Sequence, residues 1–270
     1  MKKKVNATYL CMLMLLLSMP TLVHADMSLT LSPDNMPPAF SAKYAVKIGG
    51  MSMGALEVTL IQDDESNWTY QSQSSASGLA SIFVGSNNVT DTAKLTLFDN
   101  VIRPTFYERI RKTKEADKSE RVFYRWDQLQ AKSEYKDRKL DVTLDDLTTD
   151  KFTLQLLIMA NVNDIPEKIM LPIISKAKLK QYEIINKGTA ALNTIYGQRE
   201  TIIIERVKDD SSYKIWADPN NYGLPLQIER IKEGKTEYIV QLEQSSLFQD
   251  SEKITTQSMN SQQSSYFQAR

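Results

Sequence analysis

The sequence predicts a mainly β protein: a single curved antiparallel sheet, an open or half-closed β-barrel, with one helix packed in the concavity. Three observations carry this. Apolar residues alternate with polar ones over most of the chain, as at Leu56, Val58 and Leu60 or at Tyr238, Val240 and Leu242, the period of a strand with one buried face. Turn-forming pairs recur between these runs, at Gly49-Gly50, Asp99-Asn100 and Glu233-Gly234. A single stretch, Thr148–Val162, changes to helical spacing and is apolar on most of its sides.

Taken in order, Asp26–Pro38 carries Pro33, Pro37 and Pro38 among polar residues and reads as an extended, mobile lead-in. Phe40–Ile48 and Met51–Ile61 form the first hairpin, Asp63–Asn67 the next turn and Trp68–Ser77 the next strand. Gly78–Val84 reads either as a short apolar helix or as a folded loop. Asn88–Phe98 and Val101–Arg111 make a hairpin, and Lys112–Ser119 a charged turn. Glu120–Trp126, Gln130–Tyr135 and Arg138–Leu144 follow as strands.

In the helix, Phe152, Leu156 and Met159 fall at i, i+4 and i+7, with Leu154, Leu157 and Ile158 also apolar. Thr148 or Thr149 is the expected cap, with Asp150 near the positive end of the dipole and Pro166 beyond the other end. Lys168–Ile174, Lys178–Lys187, Ala190–Tyr196, Glu200–Val207, Tyr213–Ala217, Leu226–Ile231 and Thr236–Leu242 return to strand. Asp218–Gly223 turns the chain within that last group. Residues 40–248 thus read as one β-rich domain after a 26–39 lead-in, and Ser- and Gln-rich Gln249–Arg270 as a disordered polar tail.

Met1–Ala25 has the layout of a signal peptide: Lys2–Lys4, an apolar run Tyr9–Met19, and Val23-His24-Ala25 for cleavage. The run is short for a membrane anchor, which needs about 20 apolar residues. The expectation is a periplasmic protein with no stable transmembrane anchor after cleavage. Cys11 is the one cysteine and His24 the one histidine, so both leave with the signal. Cysteine nucleophiles, Ser-His-Asp triads, disulfides and His or Cys metal sites are then excluded. Removing three lysines leaves 30 basic against 33 acidic groups, which does not suit nucleic acid.

The remaining chemical signals are weak. Ser133 and Lys136 have S-x-x-K spacing, but on a strand residues three apart face opposite ways. Asp63-Asp64-Glu65, Asp145-Asp146 and Asp209-Asp210 read as solvated turns, and Gly49–Gly54 precedes a strand where a phosphate loop needs a helix. Arg103, Tyr107, Arg109 and Arg111 share a face of one strand, and Arg121, Phe123 and Arg125 a face of the next. If odd residues pair with odd, they form a basic ladder able to meet phosphate or carboxylate; a solvated outer face is the competing reading. Trp68, Phe106, Trp126, Trp216 and the helix residues Phe152, Leu156 and Met159 are candidates to line an apolar cleft, with core packing as the alternative for most.

Several signposts occur in a recognisable order: Tyr44 with Gly50 and Gly54, Arg103-Pro104 with Tyr107, Asp146-Leu147-Thr148, Tyr196-Gly197, and Trp216-Ala217-Asp218 before Leu224-Pro225. In this the chain resembles the bacterial secreted proteins of domain-of-unknown-function family 3108 (DUF3108), over roughly Phe40 to Leu242. Thr148 stands where serine is expected. The Trp216–Asp218 strand followed by Leu224-Pro225 is also similar to outer-membrane lipoprotein carriers and their anti-sigma-regulator relatives, which wrap a half-barrel around a helix and bind lipid chains. The first resemblance implies fold and export without an activity; the second is an analogy of fold.

The function expected is non-enzymatic, with no cofactor and no metal. It is to bind a hydrophobic or amphiphilic envelope molecule, such as a lipid, or to support envelope integrity. Trp68, Phe106, Trp126, Phe152, Leu156, Met159 and Trp216 would meet the apolar part, and Arg109 and Arg111 a charged head. The alternatives are an adaptor for an envelope protein, through an edge strand or the tail, and a carboxylate-dependent glycan hydrolase.

Overall fold

The computed structural model describes residues 29–76, 88–112, 118–208 and 211–248. The signal segment Met1–Ala25, the Gly78–Val84 stretch, the Asp209-Asp210 pair and the Gln249–Arg270 tail lie outside the described residues.

Among the described residues fifteen strands form one sheet. The first half comprises β1 (Phe40–Ile48), β2 (Met51–Gln62), β3 (Asn67–Ala76), β4 (Val89–Phe98), β5 (Val101–Arg111), β6 (Lys118–Arg125), β7 (Gln130–Tyr135) and β8 (Arg138–Thr143). The second comprises β9 (Thr149–Asp150), β10 (Lys168–Ile174), β11 (Leu179–Thr194), β12 (Gly197–Lys208), β13 (Ser211–Asp218), β14 (Leu224–Lys232) and β15 (Lys235–Ser245). The helix α1 (Thr153–Ala160) lies between β9 and β10. Each half is a meander, and the halves join where β1 pairs with β15, Val46 opposite Val240. Pairing is antiparallel apart from β9 beside β10. The outermost strands β8 and β9 are not paired with each other, so the curved sheet is an open half-barrel.

Turn chemistry sets the meander. Asp99 and Asn100 both have positive φ (50° and 60°), as do Glu233 and Gly234 (49° and 73°), the two-residue geometry whose twist matches that of its flanking strands. Bulges bend the sheet, with register shifts at Val46/Lys47, Lys94/Leu95, Trp216/Ala217 and Arg230/Ile231. One expected break is a bulge instead. Asn186 and Thr189 mark a register shift inside the single strand β11, where Gly188 donates its N–H to Asn186 Oδ1 at 2.9 Å. Glycine relieves the kink without ending the strand.

The helix occupies the concavity, as its apolar circumference requires: Leu154, Leu156, Leu157, Ile158 and Met159 are all buried. It is shorter than the periodicity implies. Its cap is neither Thr148 nor Thr149. Asp150 accepts the backbone N–H groups of Phe152 and Thr153, both at 2.8 Å, and the Thr153 hydroxyl at 2.8 Å. Thr148 instead closes the preceding turn, donating its hydroxyl to Asp145 Oδ1 at 2.7 Å. Thr149 and Asp150 add a short edge strand beside Ile173 and Ile174.

The lead-in is a correction. From Leu29 onward it packs: Leu29, Leu31 and Met36 belong to the core, Ile102 donates its N–H to the Leu31 carbonyl at 2.7 Å, and Asn161 donates to the Thr30 carbonyl at 2.9 Å. Pro33 sits in a turn closed by the Asn35 and Met36 N–H groups on the Ser32 carbonyl, at 3.2 and 2.9 Å, and the prolines do not oppose burial of three apolar side chains. Among the described residues no helix is long and apolar enough to cross a membrane.

Candidate functional site

The side chains of α1 divide by direction. Leu156 and Met159 point into close-packed core and are 0% and 2% exposed. Phe152, Leu154 and Ile158 border a cavity of about 380 Å³ between the helix and the concave face. On the sheet side Val46, Val58, Ile215, Ile228 and Val240 complete an apolar wall. That volume and lining fit a small apolar ligand site. Phe152 fixes the helix against the wall, its ring stacked on Tyr70 at 4.3 Å. The Tyr70 hydroxyl in turn bonds Gln155 Oε1 at 3.2 Å.

Strand register places charge around this wall. Asp91, Arg109 and Glu120 sit opposite one another on β4, β5 and β6, facing the helix. Asp91 accepts the Tyr107 hydroxyl at 2.7 Å and pairs with Arg109 at 3.4 Å. Glu120, 1% exposed, takes Lys151 Nζ at 2.9 Å and the Lys176 N–H at 2.6 Å. Both carboxylates are therefore committed to structural partners. Asp91, Arg109 and Lys151 border the cavity. Burial and the neighbouring Arg109 charge bring the Lys151 ammonium below its ordinary value, against the pull of Glu120.

On the opposite wall Arg206, Tyr213, Arg230 and Tyr238 form one cross-strand row over β12 to β15. The Arg206 guanidinium lies 4.8 Å from the Tyr182 ring and 4.2 Å from the Tyr213 ring, and Arg230 covers Tyr213 at 4.8 Å. Burial opposes ionisation of Tyr213, but the Tyr238 hydrogen bond and the charges of Arg206 and Arg230 outweigh it and lower its phenol below the ordinary value. Arg206, Tyr213 and Tyr238 line the same cavity.

Of the residues expected at an apolar site, Phe152 and Arg109 line this cavity, whereas Leu156 and Met159 lie beneath it in the core. Trp68 is core. Trp126 borders a separate space of about 270 Å³ beside the N-terminal segment, donates its indole N–H to Pro104 O at 2.7 Å, and lies under the Arg103 guanidinium at 4.4 Å. Phe106 is a correction. Leu95 faces Pro104 and Lys94 faces Phe106, so Thr105 is an extra residue that reverses parity; Tyr107 turns in and Phe106 turns out onto Phe123 at 5.2 Å. Trp216 is another, since Ile215 and Ala217 join the core while Trp216 stands on the other face under Lys214 at 4.8 Å. Arg111 is exposed at the end of β5, outside the cavity lining.

The basic ladder does not form. Arg109 faces Glu120 and Glu108 faces Arg121, odd against even, so Arg109 and Arg121 lie on opposite faces, and the Thr105 bulge also parts Arg103 from Arg109. Sequence reasoning missed Lys151 and Arg206. Arg206, two residues beyond Ile204, shares its face of β12, but with Ile202-Ile203-Ile204 apolar throughout the sequence does not mark which face is buried. An open polar groove of about 640 Å³ between Arg138 and β10–β11 has lysine-rich walls and no comparable apolar lining.

The sequence matches the family described as "Protein of unknown function (DUF3108)" over residues 43–238. No curated protein matches it. The structure is similar to the crystal structure of a beta-barrel-like protein of domain of unknown function DUF1849 from Brucella abortus. That match has a TM-score of 0.48 and 7% identity, covering 78% of this chain and 98% of that one. It is also similar to a protein with YmcC-like fold from Bacteroides fragilis, with a TM-score of 0.30 and 10% identity, covering 80% and 99%.

Proposed function

The chain belongs to the DUF3108 family of unknown function, and for it we propose a non-enzymatic role in the cell envelope: holding a hydrophobic or amphiphilic molecule between α1 and the concave sheet. One observation carries the reading. A cavity of about 380 Å³ remains beside the buried helix, with an aliphatic wall of Val46, Val58, Ile215, Ile228 and Val240 and a charged and aromatic border. A core built only for stability leaves few voids larger than a water molecule, because each costs dispersion contacts. The envelope location rests on the signal-like pattern of Met1–Ala25.

Lipid extraction and mass spectrometry of protein purified from the envelope fraction test the reading, with Leu154→Trp as the filled-cavity control. An amphiphile is expected to accompany the wild type and to be lost from L154W. Equal recovery from both, or failure of the wild type to bind any of dodecanol, dodecanoate and dodecyl phosphate, overturns it.

A further inference from the structure

The three cations that line the cavity are not equivalent. Arg109 pairs with Asp91 at 3.4 Å, and Lys151 with Glu120 at 2.9 Å. Arg206 has no carboxylate within ion-pair distance among the described residues, and its Nε is buried without a hydrogen-bond partner. Its guanidinium lies over the rings of Tyr182 and Tyr213, at 4.8 and 4.2 Å, on strands whose register places it beside the apolar row of Ile204, Ile215 and Ile228.

A guanidinium in contact with aromatic rings still has N–H donors to offer an anion, because ring contact supplies only part of what water would. Leaving a half-buried donor unpaired is unfavourable, so the arrangement is incomplete without an acceptor. The whole cavity, about 380 Å³, takes a single chain of at most roughly a dozen carbons if each methylene needs about the 30 Å³ of a water molecule.

Building on the cavity reading above, we infer that the ligand is a single-chain amphiphile with an anionic head, phosphate or carboxylate, and that Arg206 binds that head. Arg109 and Lys151, neutralised by their own partners, add a weaker field from the opposite wall.

The test is isothermal titration of the purified full-length chain with dodecyl phosphate, dodecanoate and dodecanol, for wild type and Arg206→Gln. The wild type is expected to bind an anionic probe at least about tenfold more tightly than the alcohol, the size of one charge-assisted hydrogen bond. The tighter of the two anions assigns the head as phosphate or carboxylate. In R206Q the preference is expected to disappear while dodecanol binding persists, which also reports an intact pocket. If R206Q does not fold, Arg206→Lys replaces it, and the preference is expected to drop severalfold because the planar fork is lost. Equal binding of alcohol and anions by the wild type, or an undiminished preference in the variant, overturns the assignment of Arg206. Binding of no probe at all overturns the cavity reading and this inference together.

Discussion

Asp150 is fully buried and caps α1 with three short hydrogen bonds, while the Tyr124 hydroxyl donates to its second oxygen at 3.2 Å. Burial raises its carboxyl above the ordinary value, and the bonds from Thr153, Phe152 and Tyr124 offset only part of that. An acid with a raised folded-state value stabilises fully below the unfolded value, and that contribution is lost as pH rises through the folded value. The stability of wild type relative to Asp150→Asn is therefore expected to fall as pH rises from about 4 into the range above, measured by urea unfolding at a series of pH values. A flat difference would mean that the carboxyl is not raised. Gly223 is a second single-residue constraint. Its φ is +64°, and a Cβ there would lie 2.4 Å from the Met159 carbonyl oxygen. Gly223→Ala combines left-handed strain with a backbone clash and is expected to cost about 2 kcal/mol or more, read as a lower denaturation midpoint.

At the scale of elements, α1 works as a plug with two duties. Its Leu156 and Met159 side fills core, and its Leu154 and Ile158 side borders space. Leu156→Ala is expected to cost about 2–5 kcal/mol, as for other fully buried leucines; Leu154→Ala, beside existing space, should fall toward the low end of that range. Chemical denaturation of the two variants compares them directly, and equal losses would argue against the asymmetry. The bulge at Thr105 shows how one extra residue determines function-bearing direction. It turns Tyr107 and Arg109 inward beside Asp91 and sends Phe106 to the outside. The alternation of β5 was legible in the sequence; the only local mark of the bulge is Pro104, which cannot donate to the ladder and does not show that Thr105 is the extra residue.

For the whole molecule, the pairing of β1 with β15 joins two meanders into one concave surface, and the cavity takes its walls from both. A ligand seated there stabilises the folded state by mass action, about 2.7 kcal/mol at a concentration of 100 Kd. Dodecyl phosphate is accordingly expected to raise the melting temperature of the wild type by several degrees and to leave Leu154→Trp unmoved, checked by differential scanning calorimetry. The same shift in both proteins would place binding elsewhere.

The amino-acid sequence by itself determined the strand-rich meander, the hairpins at Asp99-Asn100 and Glu233-Gly234, and the apolar helix around Leu156, because periodicity and turn stereochemistry act over a few residues. It left open which way particular side chains face. Ile202-Ile203-Ile204 and Ile215-Trp216-Ala217 are apolar at every position, so their parity cannot be read locally, and Arg206 and Trp216 inherit that ambiguity. Only the tertiary structure decided that Arg206 faces the helix across an unfilled space while Trp216 faces away, since cross-strand register and bulges depend on partners far along the chain.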